Sequence, residues 1–343
     1  MAKVKDDVLL FAHPSMEALA DDVAEKCRQL VQTGTERQTQ VQSVQVKRTI
    51  IWGKFPDDFP NLFIDNVKEC VSRDVVFLAS FHSPDVIFEQ LSILYAVPKY
   101  LARSFTVILP YFPTGTMERV DTEGQIATAK TLATLLSAIP LTARGPTKVV
   151  IYDIHSLPLR FYFSDNIIPR LESAIPLIQR ELLQLPDQSK IAVAFPDEGA
   201  WKRFHLQFED RFPLITCTKV REEDTRQVTV KEGKRRVTIK EGDPKGRHVV
   251  IVDDLVMTGG TLKECAKVLL SHGAEKISAY VTHPVFPHDS WKLFTQSDVA
   301  FQNFWITDSV PHARQIAQHP PFKLLPLADV ISEGLLGLSF VSH

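Results

Sequence analysis

The stretch "HVVIVDDLVMTGGTLKECAKVLL", residues 248–270, opens as a near-continuous β-branched apolar run and ends in two adjacent aspartates. A short loop with two threonines and two glycines follows, and then a segment of helical spacing. An apolar run without polar alternation suits a strand covered on both faces, as in parallel sheets. Strand, turn and helix in this order form the repeating unit of α/β architecture, whose ligands bind outside the carboxyl ends of the strands. The loop itself suggests a ligand. Gly259 and Gly260 permit tight backbone geometry, and successive N–H groups can line a concavity at a helix N-terminus. Hydroxyls of Thr258 and Thr261 add donors, so a phosphate monoester fits there, while Asp253 and Asp254 offer acceptors suited to vicinal hydroxyls. Phosphate plus diol describes a sugar phosphate, most economically ribose 5-phosphate. The glycine pair alone would equally be a plain turn; the signal is the whole arrangement. Neither GxxxxGK[ST] nor GxGxxG occurs.

Working outward, the same alternation recurs. "DVLLFA" precedes a helix that Ser15 can cap, with Leu19, Val23, Cys27 and Leu30 on one face. "DVVFLASF" precedes "DVIFEQLSILYAV", and "SFTVILPYF" precedes a helix expected over residues 124–137. "LTARGPT", with Pro140, Gly145 and Pro146 as breakers, marks the expected domain boundary. Domains are therefore expected at 1–146 and 147–310, with residues 311–343 packing back on the first. Four apolar runs of the second half end in polar groups, at 153–155, 196–198, 253–254 and 282–283. Each alone is explained by a helix cap or a loop acid; a site is expected because all four are placed on one edge of one sheet. Two near-copies, "VTVKEG" and "VTIKEG", joined by "KRR", suggest a β-hairpin or a mobile flap.

At 343 residues the chain has room for two ordinary domains. A net charge of −2 offers no general field for nucleic acid or anionic membrane, so neither partner is expected. The four scattered cysteines show no zinc spacing and suit reduced, buried thiols. No apolar segment approaches the ~20 residues of a membrane helix. The opening residues resemble neither a signal nor a transit peptide, so the expected location is the cytoplasm.

With these residues in view, "VVIVDDLVMTGGTL" resembles the ribose 5-phosphate loop of type I phosphoribosyltransferase-fold proteins. Its surroundings resemble the ribose-phosphate diphosphokinase family, over nearly the whole chain. "LPYFPTGTMERVDTEGQIATAKTLATLL" matches that family's nucleotide segment, "IYDIHSLPLRFYF" its Asp-x-His motif, "FPDEGAWKR" its Pro-Asp segment and "CTKVRE" the start of its catalytic loop. "FPTGTMER", "FPDEGAWKRFH" and "FWITDS" are most similar to the plant-type class II enzymes.

The resemblance implies two similar phosphoribosyltransferase-like α/β domains, each a mainly parallel sheet flanked by helices. It implies transfer of a diphosphoryl group from ATP to ribose 5-phosphate, with Mg²⁺, in a homo-oligomer. Lys219 and Arg221 match the catalytic-loop cations. Asp197, Asp253 and Asp254 match ribose-site acids, and Thr258, Gly259, Gly260 and Thr261 the phosphate loop. His155 matches the histidine that contacts metal and nucleotide, and Asp197 is a second metal candidate. Phe55 and Asp57 match an adenine-contacting segment that reaches a neighbouring subunit. Thr116 and Met117 replace the usual Arg-Gln, Met257 replaces an acid and Phe59 a glutamate. These departures resemble class II, which implies independence of inorganic phosphate and breadth toward nucleoside triphosphates. A phosphoribosyltransferase that consumes PRPP (5-phosphoribosyl 1-pyrophosphate) is the first rival; it would not need a second α/β half carrying "YFPTGTMER". A non-catalytic regulatory paralogue is the second; it would have lost Lys219, Arg221 or His155, and all three are present.

Overall fold

The computed structural model describes residues 6–33, 41–221, 235–296 and 299–337. They form two compact units, one containing the described residues up to Ala174 and those from Pro326 onward, the other Ile175–Leu325.

The first unit is built on a six-stranded sheet in the order β2-β1-β5-β6-β7-β8, every pairing parallel. Its strands are β1 (Asp6–Ala12), β2 (Val41–Lys47), β5 (Asp74–Leu78), β6 (Ser104–Leu109), β7 (Thr147–Tyr152) and β8 (Ile167–Glu172). An antiparallel hairpin of β3 (Ile50–Lys54) and β4 (Pro60–Ile64) stands between β2 and β5 in the chain. The helices are α1 (Glu17–Gln32), α2 (Pro84–Ala96) and α3 (Thr128–Ser137). The core is the apolar content of the central strands, including Leu9, Phe11, Phe77, Val107 and Ile151, each nearly inaccessible to solvent. Burying one such side chain contributes about 1.5–3 kcal/mol, which is why these runs become central strands.

The second unit repeats the design. Its strands are β9 (Ile191–Phe195), β10 (Leu214–Arg221), β11 (Arg235–Glu241), β12 (His248–Val256), β13 (Lys276–Pro284), β14 (Phe301–Thr307) and β15 (Phe322–Leu325). They are ordered β11-β10-β9-β12-β13-β14-β15, and only β11 is antiparallel to its neighbour. The helices are α4 (Ile175–Leu182), α5 (Glu198–Phe204), α6 (Gly260–Ser271), α7 (Lys292–Thr295) and α8 (Ala313–Ile316). A last helix, α9 (Ala328–Leu335), returns to the first unit, where Ser332 Oγ donates to the Val23 carbonyl and Lys26 pairs with Asp329 at 2.7 Å. Leaving β11 aside, both parallel sheets have the same rank order, 2-1-3-4-5-6, so the two domains are similar, as expected.

Several local expectations change. The units divide at Ala174/Ile175 and not after Pro146, because β7 pairs with β6 and β8 with β7 in the first sheet. The Pro/Gly-rich stretch is a tight turn, Thr142 and Gly145 exchanging both backbone hydrogen bonds, and joins α3 to β7 within one domain. Of the segment 311–343, residues up to Leu325 stay in the second unit, and those from Pro326 onward belong to the first. Ser15 does not cap α1; it lies in a 3₁₀ turn capped by His13, whose side chain accepts from Ser15 N. α3 starts at Thr128 because a turn closes at Gln125 N to Thr122 O and Gly124 takes a φ of +87°. The first copy of the internal repeat lies outside the described residues. The second forms β11 and pairs with β10, Val237 opposite Lys219.

All four cysteines are buried and free, and among the described residues no helix is long and apolar enough to cross a membrane. Gly242, just after β11, has a φ of +91°, and a Cβ there would lie 2.4 Å from Leu214 O and 2.8 Å from Ile215 Cα. Both obstacles are backbone, so neither can rotate away. Gly242→Ala is expected to destabilise the second unit by about 2 kcal/mol or more in urea unfolding. A variant as stable as the parent would contradict the close approach.

Candidate active site

The carboxyl ends of β9 and β12 are neighbours in the second sheet, and each ends in acids. Asp197 follows β9 by two residues and is the N-cap of α5: its Oδ1 accepts from Ala200 N at 3.1 Å. Its Oδ2 accepts from Lys219 Nζ at 3.3 Å. In parallel, Lys240 of β11 pairs with Glu198 at 2.7 Å. Both strands of the β10–β11 pair are thus tied to the first residues of α5.

Asp253 and Asp254 lie within β12, and they are not equivalent. Asp254 is 4% exposed; its Oδ1 accepts from Leu255 N at 2.8 Å, and its Oδ2 is 3.9 Å from Arg203 Nη1. Asp253 is half-buried and accepts from Asp254 N at 2.9 Å. Burial, then the negative charges of Asp254 and Asp197, pushes the Asp253 carboxyl well above the usual carboxylate range. Asp197 and Asp254 each lie beside a cation, Lys219 and Arg203, whereas Asp253 is crowded by both of these acids. Hydroxyl groups or a cation would offset that crowding.

The loop after β12 supplies the complementary pole. Gly259 is the N-cap of α6 in the left-handed region (φ 81°, ψ −3°), and no side chain caps this helix. The first-turn N–H groups of α6 and the positive end of its dipole favour an anion. A Cβ added at Gly260 would meet nothing nearer than Thr258 Oγ1 at 4.0 Å, so the space over the loop is open. Thr258 is exposed and Thr261 half-buried beside it. The second unit therefore brings together Asp197, Lys219, Asp253, Asp254 and residues 258–261. Arg221 closes β10 opposite Arg235; its side chain is outside the described residues.

The expectation that residues 153–155 share this sheet edge is not met, since β7 belongs to the first unit. Asp153 there is structural: 2% exposed, it accepts from Ser173 Oγ at 2.7 Å and from Ala174 N at 2.9 Å. His155, two residues on, is exposed at the end of the same strand. Gly115 of the "YFPTGTMER" loop comes so close that a Cβ on it would be 3.2 Å from His155 Cβ. Phe55 and Asp57 form the tip of the β3–β4 hairpin, closed by Phe55 N to Phe59 O at 2.8 Å, and both are exposed.

Sequence reasoning missed Arg203, whose buried guanidinium is the cation nearest Asp254 in the described contacts and whose Nη1 has no hydrogen-bond partner. Arg203 stands at the end of "FPDEGAWKR", a stretch read only for its Pro-Asp segment, and its partner Asp254 is 51 residues away in the sequence. Among the described residues no three His, Cys, Asp or Glu side chains converge as a metal cage.

Residues 8–139 match the N-terminal domain of ribose phosphate pyrophosphokinase, and residues 202–314 match the phosphoribosyl transferase domain. The chain is 50% identical over 334 residues to the mitochondrial ribose-phosphate pyrophosphokinase 3 of Spinacia oleracea, covering 96% of this chain and 76% of that one. It is 55% identical over 294 residues to ribose-phosphate pyrophosphokinase 4 of Oryza sativa subsp. japonica, covering 84% and 87%. In fold it resembles the crystal structure of phosphoribosylpyrophosphate synthetase from Mycobacterium smegmatis, with a TM-score of 0.75 at 21% identity over 96% and 98% of the two chains.

Asp197 offers a test that separates its cap from its charge. Asp197→Ala should cost about 1 kcal/mol in denaturant unfolding through loss of the cap. Asp197→Asn, which retains an oxygen for Ala200 N, should lose less than half of that. Equal losses in the two variants would show that Oδ1 does not cap α5.

Proposed function

The chain belongs to the ribose-phosphate pyrophosphokinase family, and we propose that it transfers the β,γ-diphosphoryl group of ATP to the C1 hydroxyl of ribose 5-phosphate, giving PRPP and AMP. The observation that carries this reading is the crevice between β9 and β12, with three carboxylates on one side and an uncapped helix N-terminus on the other. That pairing suits a molecule with vicinal hydroxyls at one end and a phosphate at the other. In this reading the phosphate of ribose 5-phosphate rests on residues 258–261, and Asp253 accepts hydrogen bonds from the ribose. Asp254, fixed by Leu255 N and facing Arg203, holds the end of β12 in place. The C1 oxygen attacks the β-phosphorus as the bond to the α,β-bridging oxygen breaks; that oxygen leaves with AMP, and the C1 hydroxyl proton is released to solvent. Lys219 and Arg221 stand two apart on β10 and would stabilise negative charge developing on the transferred group.

Mg²⁺ keeps several waters and takes one or two carboxylates plus substrate phosphates, so it would bind here together with ATP. Asp197 in the second unit and His155 in the first are each proposed as a metal ligand, and a bound Mg²⁺ would neutralise charge on the triphosphate. His155, Phe55 and Asp57 are proposed nucleotide contacts. The exposed aromatic tip of the β3–β4 hairpin, Phe55 at 51% and Phe59 at 62%, supports an encounter with a second subunit in a homo-oligomer. Thr116, Met117, Phe59 and Met257 support the class II reading, independent of inorganic phosphate and broad toward nucleoside triphosphates. A cytoplasmic location is proposed with no nucleic-acid or membrane partner, in contrast to the relative from Spinacia oleracea, which is named mitochondrial.

Purified protein given ribose 5-phosphate, Mg²⁺ and ATP should form AMP and PRPP in equal amounts. Formation of ADP, or PRPP consumption when a nucleobase is offered, would overturn the proposal. Lys219→Ala should lower kcat by about 100-fold or more while ribose 5-phosphate binds within threefold of the parent. Weakened binding at normal turnover would remove Lys219 from the transition state. GTP or CTP should replace ATP, with no activation by inorganic phosphate; strict ATP use with a phosphate requirement would refute the class II assignment.

A further inference from the structure

The segment 285–294, "VFPHDSWKLF", follows β13 and has no role in the reaction described so far, yet it contacts Val256, Met257 and Gly259 at the start of the sugar-phosphate loop. Val285 N and Phe286 N both donate to Val256 O, at 3.2 and 3.3 Å. Ser290 Oγ donates to the Met257 carbonyl at 3.0 Å. Phe294 lies under Gly259 so closely that a Cβ there would be 2.5 and 2.6 Å from its Cε2 and Cζ. Gly260, by contrast, has open space above it. The loop thus has a solid underside made by one segment and an upper side left for a ligand.

The segment is held firmly enough to act as a support. Phe286, His288 and Asp289 have φ values of 39°, 54° and 58°, a left-handed region that His and Asp enter more readily than most residues and that is costly for Phe286. Phe294 is 4% exposed, with Phe304 edge-on at 5.0 Å and 89° and Phe301 at 5.4 Å. Trp291 is stacked on His319 at 4.7 Å. Close-packed rings of this kind have low compressibility and pass a displacement on instead of absorbing it.

We propose that Phe294 is a positioning residue for the sugar-phosphate loop: its ring sets the height of Gly259, and with Ser290 it fixes where the first N–H groups of α6 meet the phosphate. This rests on the reading of residues 258–261 as the ribose 5-phosphate loop. A ring that only filled the core would affect stability and both substrates alike. A ring that sets the loop should act selectively on ribose 5-phosphate and should be coupled to Gly259.

The test is steady-state kinetics on the full chain with Phe294→Ala, Phe294→Leu, Ser290→Ala, Gly259→Ala and the Gly259→Ala/Phe294→Ala double variant. Phe294→Ala should raise KM for ribose 5-phosphate about tenfold while KM for ATP stays within twofold, and Phe294→Leu should fall between it and the parent. Gly259→Ala should lose about 100-fold in kcat/KM for ribose 5-phosphate. Adding Phe294→Ala should recover about tenfold, the remainder reflecting the φ of +81° that alanine tolerates poorly. If Phe294→Ala fails to fold, the Phe294→Leu and Ser290→Ala variants decide by the same split. Equal changes in both KM values, or a double variant no better than Gly259→Ala alone, would overturn the proposal. A parent protein that forms no AMP would refute the ribose 5-phosphate reading itself; an active parent with unsplit variants would refute only the role of Phe294.

Discussion

Right-handed crossover connections place successive helices on opposite faces of a parallel sheet when the chain moves outward in opposite directions from its centre. β9 is followed by α5 and then β10 on one side; β12 is followed by α6 and then β13 on the other. The two helices leave on opposite faces, so the carboxyl ends of β9 and β12 have no helix crossing between them. Everything at the candidate site depends on this gap. Asp197 reaches it as the cap of α5, Asp253 and Asp254 as the end of β12, and the Thr258–Thr261 turn as the start of α6. The covalent order of the chain is thereby converted into a convergence of groups far apart in sequence.

The first unit has the same strand order and therefore the same gap, between β1 and β5. There the chain satisfies the polar groups internally. His13 after β1 contacts Ser15 Oγ at 2.8 Å through Nδ1 and Glu89 at 3.0 Å through Nε2, and Trp52 of the β3–β4 hairpin lies edge-on to its ring at 5.1 Å. After β5, the buried Gln90 side chain bonds both the N–H and the carbonyl of Ser80, and Ser80 Oγ meets His82. Burial holds His13 below its ordinary pKa even beside Glu89, which marks a packed position more than a solvated one. The same topology thus yields one crevice with crowded acids and an uncapped helix, and another in which the described polar groups have partners. In both units the segment inserted after the second-ranked strand is antiparallel: the β3–β4 hairpin in one, β11 on β10 in the other.

Most of this was legible because burial and chirality leave strong traces. Runs such as "VVIV" and "IAVAF" admit no polar residue because both sheet faces are covered, and their order then fixes which ends converge. Legibility failed where two residues with the same sequence appearance met different neighbours. Asp153 and Asp253 both follow an apolar strand run; Asp153 is consumed by Ser173 and Ala174, and only tertiary placement reveals it. The boundary after Pro146 failed for a related reason, since breakers announce a turn but not whether the next strand joins the old sheet or starts a new one. Gly259 was read as conformational freedom alone. Its second constraint, the ring of Phe294 thirty-five residues on, leaves no local signature.

Asp197 shows how structural and functional demands coexist in one side chain. A helix cap needs one carboxylate oxygen, and Oδ1 provides it to Ala200 N whatever else happens at the site. Oδ2 is held by Lys219, an ion pair with each side chain about a third exposed, and such pairs contribute only ~0.2–1 kcal/mol. On the proposed mechanism, moving Lys219 from this oxygen to a substrate phosphate would cost little and would leave the Oδ1 cap of α5 in place. β10 is registered with β9 at residues 214–216, and Lys219 lies beyond that pairing. A weak contact is what the proposed role of Lys219 requires, since a cation bound tightly by its own protein would be unavailable to a substrate phosphate.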